Sequence, residues 1–219
     1  APESERLADL IALWWEEAER HGVLPLDDRG VELIGVRFRD HSPHPTDRRY
    51  VYRPPMSPLP AQAGAPIGGR NADVVARVTL APGDAGVLYA AGTANSGLSL
   101  FVQDGRLVFD YNAFGDHTVI ESAGLPTGDL ELGVQLRRGE GRGGSIAVLV
   151  DGVEHARADV PLFMRIMSSV GPSVGYDHGS AVSPRYEAPF PFTGELHEIV
   201  IQTNPEQFAD TATAEAAAA

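Results

Sequence analysis

The sequence predicts a mainly β chain: a two-sheet antiparallel jelly-roll sandwich preceded by one amphipathic α-helix. Three observations carry that prediction. Leu7, Leu10, Ile11, Trp14, Trp15 and Ala18 recur at helical spacing in the opening stretch. Asp104-Gly105 and Asp151-Gly152 each separate two short runs rich in β-branched and apolar residues, the strongest short-range hairpin signal. Beyond residue 71, strand-like runs follow one another without helical patterns between them, as they do where two antiparallel sheets pack face to face.

The helix has a clean end. Arg20 and His21 fall in its last turn, Gly22 suits the left-handed position after it, and Pro25 forbids continuation. Two adjacent indoles, each able to bury roughly 200 Å², give it an apolar stripe that one helix cannot shelter. It therefore reads as the exit from a larger domain.

The strand runs are 74–80, closed by Pro82-Gly83, then 98–102 and 107–111 around the first Asp-Gly, 129–137, 146–150 and 153–156 around the second, and 193–202. With shorter pieces they make about nine or ten strands, enough for a sandwich of the concanavalin/laminin-G type. The chain divides into an exit helix and turn (1–28), a Pro/Arg-rich crossing strap (29–70) with a candidate strand at 31–38, the sandwich (71–203), and an Ala-rich tail (204–219) expected to fray.

Composition narrows the function classes. At 219 residues and 43% hydrophobic, the chain can bury about two thirds to three quarters of its unfolded surface. No apolar stretch approaches the roughly 20 residues of a membrane span. A formal net charge of −13 argues against nucleic acid, whose binding relies on clustered cations. Every basic residue is arginine, and the absence of cysteine excludes disulfides without fixing a compartment. Arg37, Arg39, Arg48, Arg49, Arg53 and Arg70 share a stretch whose acids between 37 and 70 are Asp40 and Asp47. This suits a strap along an acidic partner surface, or a solvated loop.

Four groups of residues bear chemistry. His41 and His44 alternate with Asp40 and Asp47, but Pro43 and Pro45 hold them extended, which favours a solvated loop over converging ligands. Asp129 and Glu131, two apart on a strand, share a face as paired carboxylates must, without the Glu-x-Asp-x-x-Glu signature of sandwich-fold glycosidases. Glu195 and Glu198 are oddly spaced, which on an unbroken strand sends them to opposite faces. Finally, Tyr111, Asn112, Tyr176, Asp177 and His178 combine the aromatic and polar types that stack on sugars or line a cleft rim. Core packing and turn geometry are the other reading of that set.

The helix containing Trp14, Trp15, Glu16, Glu17 and Ala18, running into the Val-Leu-Pro-Leu-Asp-Asp-Arg of 23–29, resembles the segment that leaves the catalytic domain in bacterial, especially actinobacterial, arylsulfatases of the alkaline-phosphatase superfamily. The likeness continues through 50–55, 86–92, 98–105, 109–112, 174–177 and 182–186, so that 5–203 is covered in order. No single piece is specific; the ordered series is.

The resemblance implies a parent enzyme that hydrolyses sulfate esters with a formylglycine nucleophile beside a calcium ion. This chain lacks the Cys/Ser-x-Pro-x-Arg motif from which that nucleophile arises, and Ser183-Pro184-Arg185 reads as a turn. No catalytic residue, metal or other cofactor is therefore expected here. The expected role is a non-catalytic C-terminal module docked on the catalytic domain of the same polypeptide through Trp14, Trp15, Arg48, Arg49 and Arg53, shaping substrate access or supporting the fold. Self-association through the helix is a further expectation. The alternative is a lectin-like module that binds a glycan.

Overall fold

The structure, a computed structural model, describes residues 2–22 and 48–204. The candidate strand at 31–38, the loop carrying His41 and His44, and the tail at 205–219 lie outside the described residues. The chain forms two units, 1–43 and 44–219.

In the first unit, α1 spans Pro2–Arg20. It starts earlier than the apolar stripe does, consistent with proline's tolerance in a first helical turn. It ends where the sequence predicts. His21 N donates to Glu17 O at 3.0 Å, Gly22 N to Glu19 O at 3.2 Å, and Gly22 takes φ 65°, the left-handed closure that spares a side chain. Arg20 forms ion pairs with Glu16 at 3.3 Å and Glu17 at 2.7 Å. The apolar face is open: Leu7, Leu10, Ile11, Leu13, Trp14 and Trp15 are each between 46% and 58% exposed.

The second unit is a sandwich of two antiparallel β-sheets. Its strands are β1 (Arg49–Tyr52), β2 (Ala72–Leu80), β3 (Gly86–Thr93), β4 (Ser96–Gln103), β5 (Arg106–Ala113), β6 (Asp116–Gly124), β7 (Gly128–Arg138), β8 (Gly144–Val150), β9 (Val153–Val160), β10 (Ser173–Val174) and β11 (Glu195–Thr203). A six-stranded sheet runs β1-β11-β2-β7-β8-β9, and a five-stranded sheet runs β10-β3-β4-β5-β6. Every pairing of these strands is antiparallel.

Period-2 alternation sets the core. Val74, Ala76 and Val78 of β2, Leu132, Val134 and Leu136 of β7, and Ile199 and Ile201 of β11 face inward, against Leu98 and Leu100 of β4 and Leu107, Phe109 and Tyr111 of β5. The sheet begins inside the Pro-rich strap. β1 adds an edge to β11 with Tyr50 opposite Ile201 and Tyr52 opposite Ile199, and both tyrosine rings join the core. β6 and the short β10 likewise exceed the runs legible in sequence.

Three hairpins use two-residue turns with positive φ at both central positions: Asp104 and Gly105 (51° and 66°), Asp151 and Gly152 (50° and 77°), and Phe114 and Gly115 (58° and 90°). Such turns suit the twist of the flanking strands, and Asp or Asn tolerates the first position best. Phe114 is the exception, an exposed aromatic in a conformation that strains its Cβ. Phe114→Asn is expected to raise stability by up to about 1 kcal/mol, read as a higher urea midpoint with an unchanged slope.

Candidate functional site

Ser99, Phe101, Val108, Asp110 and Asn112 point away from the inter-sheet core, yet all are buried. The segment 175–192 covers them. Phe101 meets Tyr186 edge-on at 5.0 Å and Phe190 at 6.4 Å, and Tyr186 stacks on Phe190 at 5.3 Å. Val87, Ala90, Phe101, Val108 and Tyr186 form a second apolar cluster here.

Asp177 organises the polar part of this cover. Its Oδ2 accepts from Tyr186 OH at 2.7 Å and from Val182 N at 3.0 Å. Tyr186 spends its proton on Asp177, so Ser99 Oγ donates to the Tyr186 oxygen across 2.8 Å. Burial holds the Tyr186 hydroxyl far above its ordinary range; the Ser99 hydrogen bond opposes this and the Asp177 charge adds to it. Asn112 Nδ2 donates to Ala94 O at 2.8 Å and Val182 O at 3.3 Å, while its Oδ1 accepts from Gly115 N at 2.8 Å. At the β6 edge, His117 Nδ1 lies 2.9 Å and 3.0 Å from the two carboxylate oxygens of Asp110.

The five residues expected at a ligand rim are thus distributed by the fold. Asn112 and Asp177 converge on Val182 inside the cover. Tyr111 lies on the opposite face of β5, buried between the sheets and stacked on Phe163 at 5.6 Å. Its hydroxyl accepts from Met164 N at 2.8 Å and shares one proton between Gly68 O at 2.6 Å and Met164 O at 2.7 Å. Tyr176 is half-buried, its carbonyl taking the Ser173 hydroxyl at 2.7 Å, and His178 is exposed. Ser183 is buried, and its Oγ accepts from Arg185 N at 3.4 Å, the geometry of a turn.

The outer face of the six-stranded sheet is open and charged. Asp129 and Glu131 do share it. Glu195 and Glu198 share it too, which corrects the opposite faces expected from their spacing. A β-bulge pairs Leu196 with Val78 and Glu198 with Arg77, so His197 is an extra residue that resets the parity. Arg77 donates to Glu131 at 2.8 Å and Glu198 at 2.6 Å, and Arg53 pairs with Glu198 at 2.9 Å. Thr79 Oγ1 donates to Asp129 at 2.6 Å, so His197 Nε2 donates to Thr79 across 2.8 Å. Beside this network a shallow groove of about 230 Å³ opens over Gly133, flanked by Asp73, Glu131, Gln135 and Leu149.

Asp129, Glu131 and Glu198 thus each have a hydrogen-bond or ion-pair partner, and among the described residues no three His, Asp or Glu side chains converge as a metal site would require. Of the residues expected at an interface, Trp14 and Trp15 lie on the open face of α1 with their rings edge-on at 4.8 Å. Arg48 sits over the Tyr50 ring at 5.1 Å, Arg49 is exposed, and Arg53 belongs to the ion network.

Tyr186, Ser99 and the Asp110–His117 pair escaped the sequence reading. The available signal was polar residues inside otherwise apolar runs, as in Leu98-Ser99-Leu100 and Phe109-Asp110-Tyr111. That pattern equally describes a strand with one solvated face.

No protein-family model and no curated protein matches the chain. Among solved structures, it is similar to domains LG4-5 of the mouse laminin alpha1 chain, at 17% identity and TM-score 0.42, over 71% of this chain and 39% of that one. It is also similar to an SAP-like pentraxin from Limulus polyphemus, at 18% identity and TM-score 0.44, over 71% of this chain and 76% of that one. A third is the Caenorhabditis elegans galectin LEC-6, at 13% identity and TM-score 0.40, over 69% and 94%.

Two outcomes test this account of the interior. Tyr186→Phe deprives Asp177 of a donor and Ser99 of its acceptor, and is expected to cost about 1–3 kcal/mol in urea unfolding. Burial pushes Tyr52 and Tyr111 each up to about 12, partly opposed by backbone hydrogen bonds at Ala65 and Met164. Their raised folded values give stability that is complete below the unfolded value near 10 and is lost as pH rises towards 12. Tyrosinate absorbance should therefore appear in a cooperative step with loss of structure in that window.

Proposed function

We propose that the chain is the non-catalytic C-terminal module of an arylsulfatase, docked through α1 on a catalytic domain that hydrolyses sulfate esters. The open face of α1 carries this reading. Six large apolar side chains, two of them indoles, stand about half exposed along one helix, and contiguous apolar surface of that kind marks an interface. Its chemistry calls for an apolar groove on the partner, with the T-shaped Trp14–Trp15 pair as anchor.

The placement of the resembling segments lends support. Residues 86–92 are in β3, 98–105 make β4 and its turn, 109–112 are in β5, and 174–177 and 182–186 belong to the cover over β4 and β5. Apart from 50–55, which begins in β1 of the six-stranded sheet, the sandwich segments that resemble arylsulfatases fall in the five-stranded sheet and its lid. The glycan-binding alternative loses support at Tyr111, Asn112 and Asp177, whose polar atoms are committed internally. The arginine-to-carboxylate network on the opposite sheet makes a hydrated face that also suits a module beside a catalytic domain.

In the full polypeptide, Trp14→Ala/Trp15→Ala should lower the midpoint of thermal inactivation of aryl sulfate hydrolysis by several degrees, since each buried indole lost costs about 3–5 kcal/mol. The same double change in residues 1–219 alone should leave the melting temperature within about one degree, because exposed side chains contribute little. The reading frame ahead of Ala1 should encode Cys-x-Pro-x-Arg or Ser-x-Pro-x-Arg. A frame without that motif, equal destabilisation of both forms, or turnover of an aryl sulfate by residues 1–219 overturns the proposal.

A further inference from the structure

The sequence carries two Asp-Gly pairs, and each supplies the central residues of a hairpin turn. Their backbones match: Asp104 and Asp151 take φ 51° and 50°, and Gly105 and Gly152 take 66° and 77°. All four residues are exposed, and a Cβ on either glycine would meet nothing within 4 Å. An Asp followed by glycine is a place where a chain readily attacks itself, because no side chain on the second residue shields its amide nitrogen from the Asp carboxyl carbon.

The contacts of the two aspartates differ. Asp151 is clamped to β7 at two points: its Oδ1 accepts from Glu131 N at 2.8 Å, and its own N donates to Glu131 O at 2.8 Å. Swinging that carboxyl onto Gly152 N breaks the first bond and takes from Glu131 N its acceptor. Asp104 has no such restraint, since its carboxylate has no hydrogen-bond or ion-pair partner among the described residues. The Gly105 carbonyl accepts from Leu125 N at 2.7 Å, but that oxygen takes no part in the attack.

We infer that Asp104 is a site of spontaneous isomerisation to isoaspartate, and that the fold protects Asp151 from the same reaction. Gly105 N bonds to the Asp104 carboxyl carbon as its C–OH bond breaks, and the hydroxyl leaves with the amide proton as one water, closing a five-membered succinimide. One water then adds at the Asp104 main-chain carbonyl, whose bond to Gly105 N breaks. The chain now runs through the former side chain and carries a free α-carboxylate, with no atom gained or lost overall.

The consequence falls on β4 and β5. Isomerisation adds one backbone carbon to the two-residue turn that sets Gln103 opposite Arg106 and Val102 opposite the buried Leu107. The liberated α-carboxylate is the group that an isoaspartate methyltransferase using S-adenosylmethionine esterifies, so the exposed turn becomes a substrate for that class of repair enzyme. The site does not depend on the docking role proposed above.

The test keeps residues 1–219 at physiological temperature and neutral pH, in native buffer and in concentrated urea, with a zero-time sample to subtract isomerisation during digestion. Peptide mapping measures isoaspartate at 104 and 151, and methyl transfer from labelled S-adenosylmethionine by an isoaspartate methyltransferase measures the total. The folded chain should accumulate at least about tenfold more isoaspartate at 104 than at 151, because the hydrogen bonds of Asp151 must open first. In urea the two sites should agree within about twofold, since glycine follows both and the clamp on Asp151 is gone. Asp104→Glu, whose longer side chain would have to close a less favourable six-membered ring, should remove most of the methyl acceptance of the folded chain. Equal accumulation at 104 and 151 in the folded chain, faster accumulation at 151, none at 104 while the urea sample forms it, an equally large difference in urea, or undiminished methyl acceptance in Asp104→Glu overturns the inference.

Discussion

Strands β4 and β5 are buried on both faces, and that constraint organises the rest of the sandwich. Their inner faces meet the six-stranded sheet in the usual way, but Phe101 and Val108 also need an apolar roof, and Ser99, Asp110 and Asn112 need partners out of water. The segment 175–192 supplies both. Its aromatics pack on Phe101, and Asp177 and Tyr186 complete the hydrogen bonds that a solvated face would have left to water. Leaving such groups buried and unpaired costs about 1–3 kcal/mol each, so the polar atoms of the lid matter as much as its rings.

The two outer faces therefore follow different physics. Over the five-stranded sheet, burial makes each hydrogen bond consequential. Over the six-stranded sheet, Arg53, Arg77 and Glu131 are exposed and Glu198 is mostly buried beneath them; an exposed pair such as Arg77–Glu131 contributes about 0–1 kcal/mol. They keep a broad sheet face hydrated more than they hold it together. Arginine serves both purposes in a chain without lysine, since one planar fork can reach two carboxylates at once, as Arg77 does.

Between the faces, the Tyr111 hydroxyl ties two connections to the core at one point, the run before β2 and the loop after β9. The side chains leaving that point, Arg70 and Arg165, inherit its rigidity. In the separate helical unit, the apolar side chains of α1 face outward. That apolar face is one whose composition the described residues do not use for their own packing. A module that works by contact would present such a surface.

The sequence by itself determined what depends on neighbours a few residues away. The end of α1 at Gly22, the hairpins at Asp104-Gly105 and Asp151-Gly152, and the alternation in β2 and β7 are local matters of φ, capping and period. Those features were enough to predict an antiparallel sandwich. Tertiary structure decided whatever depended on a partner far along the chain. One bulged residue, His197, moved Glu198 onto the face of Glu195, which no counting of spacings reveals. The Phe109-Asp110-Tyr111-Asn112 run looks like a strand with a wet polar face until residues 175–192 cover it. Likewise, β1 became a strand because β11, some 150 residues later, offered it an edge. Such contacts are fixed by the closing of two sheets over one core, and a linear sequence carries no local mark of that closure.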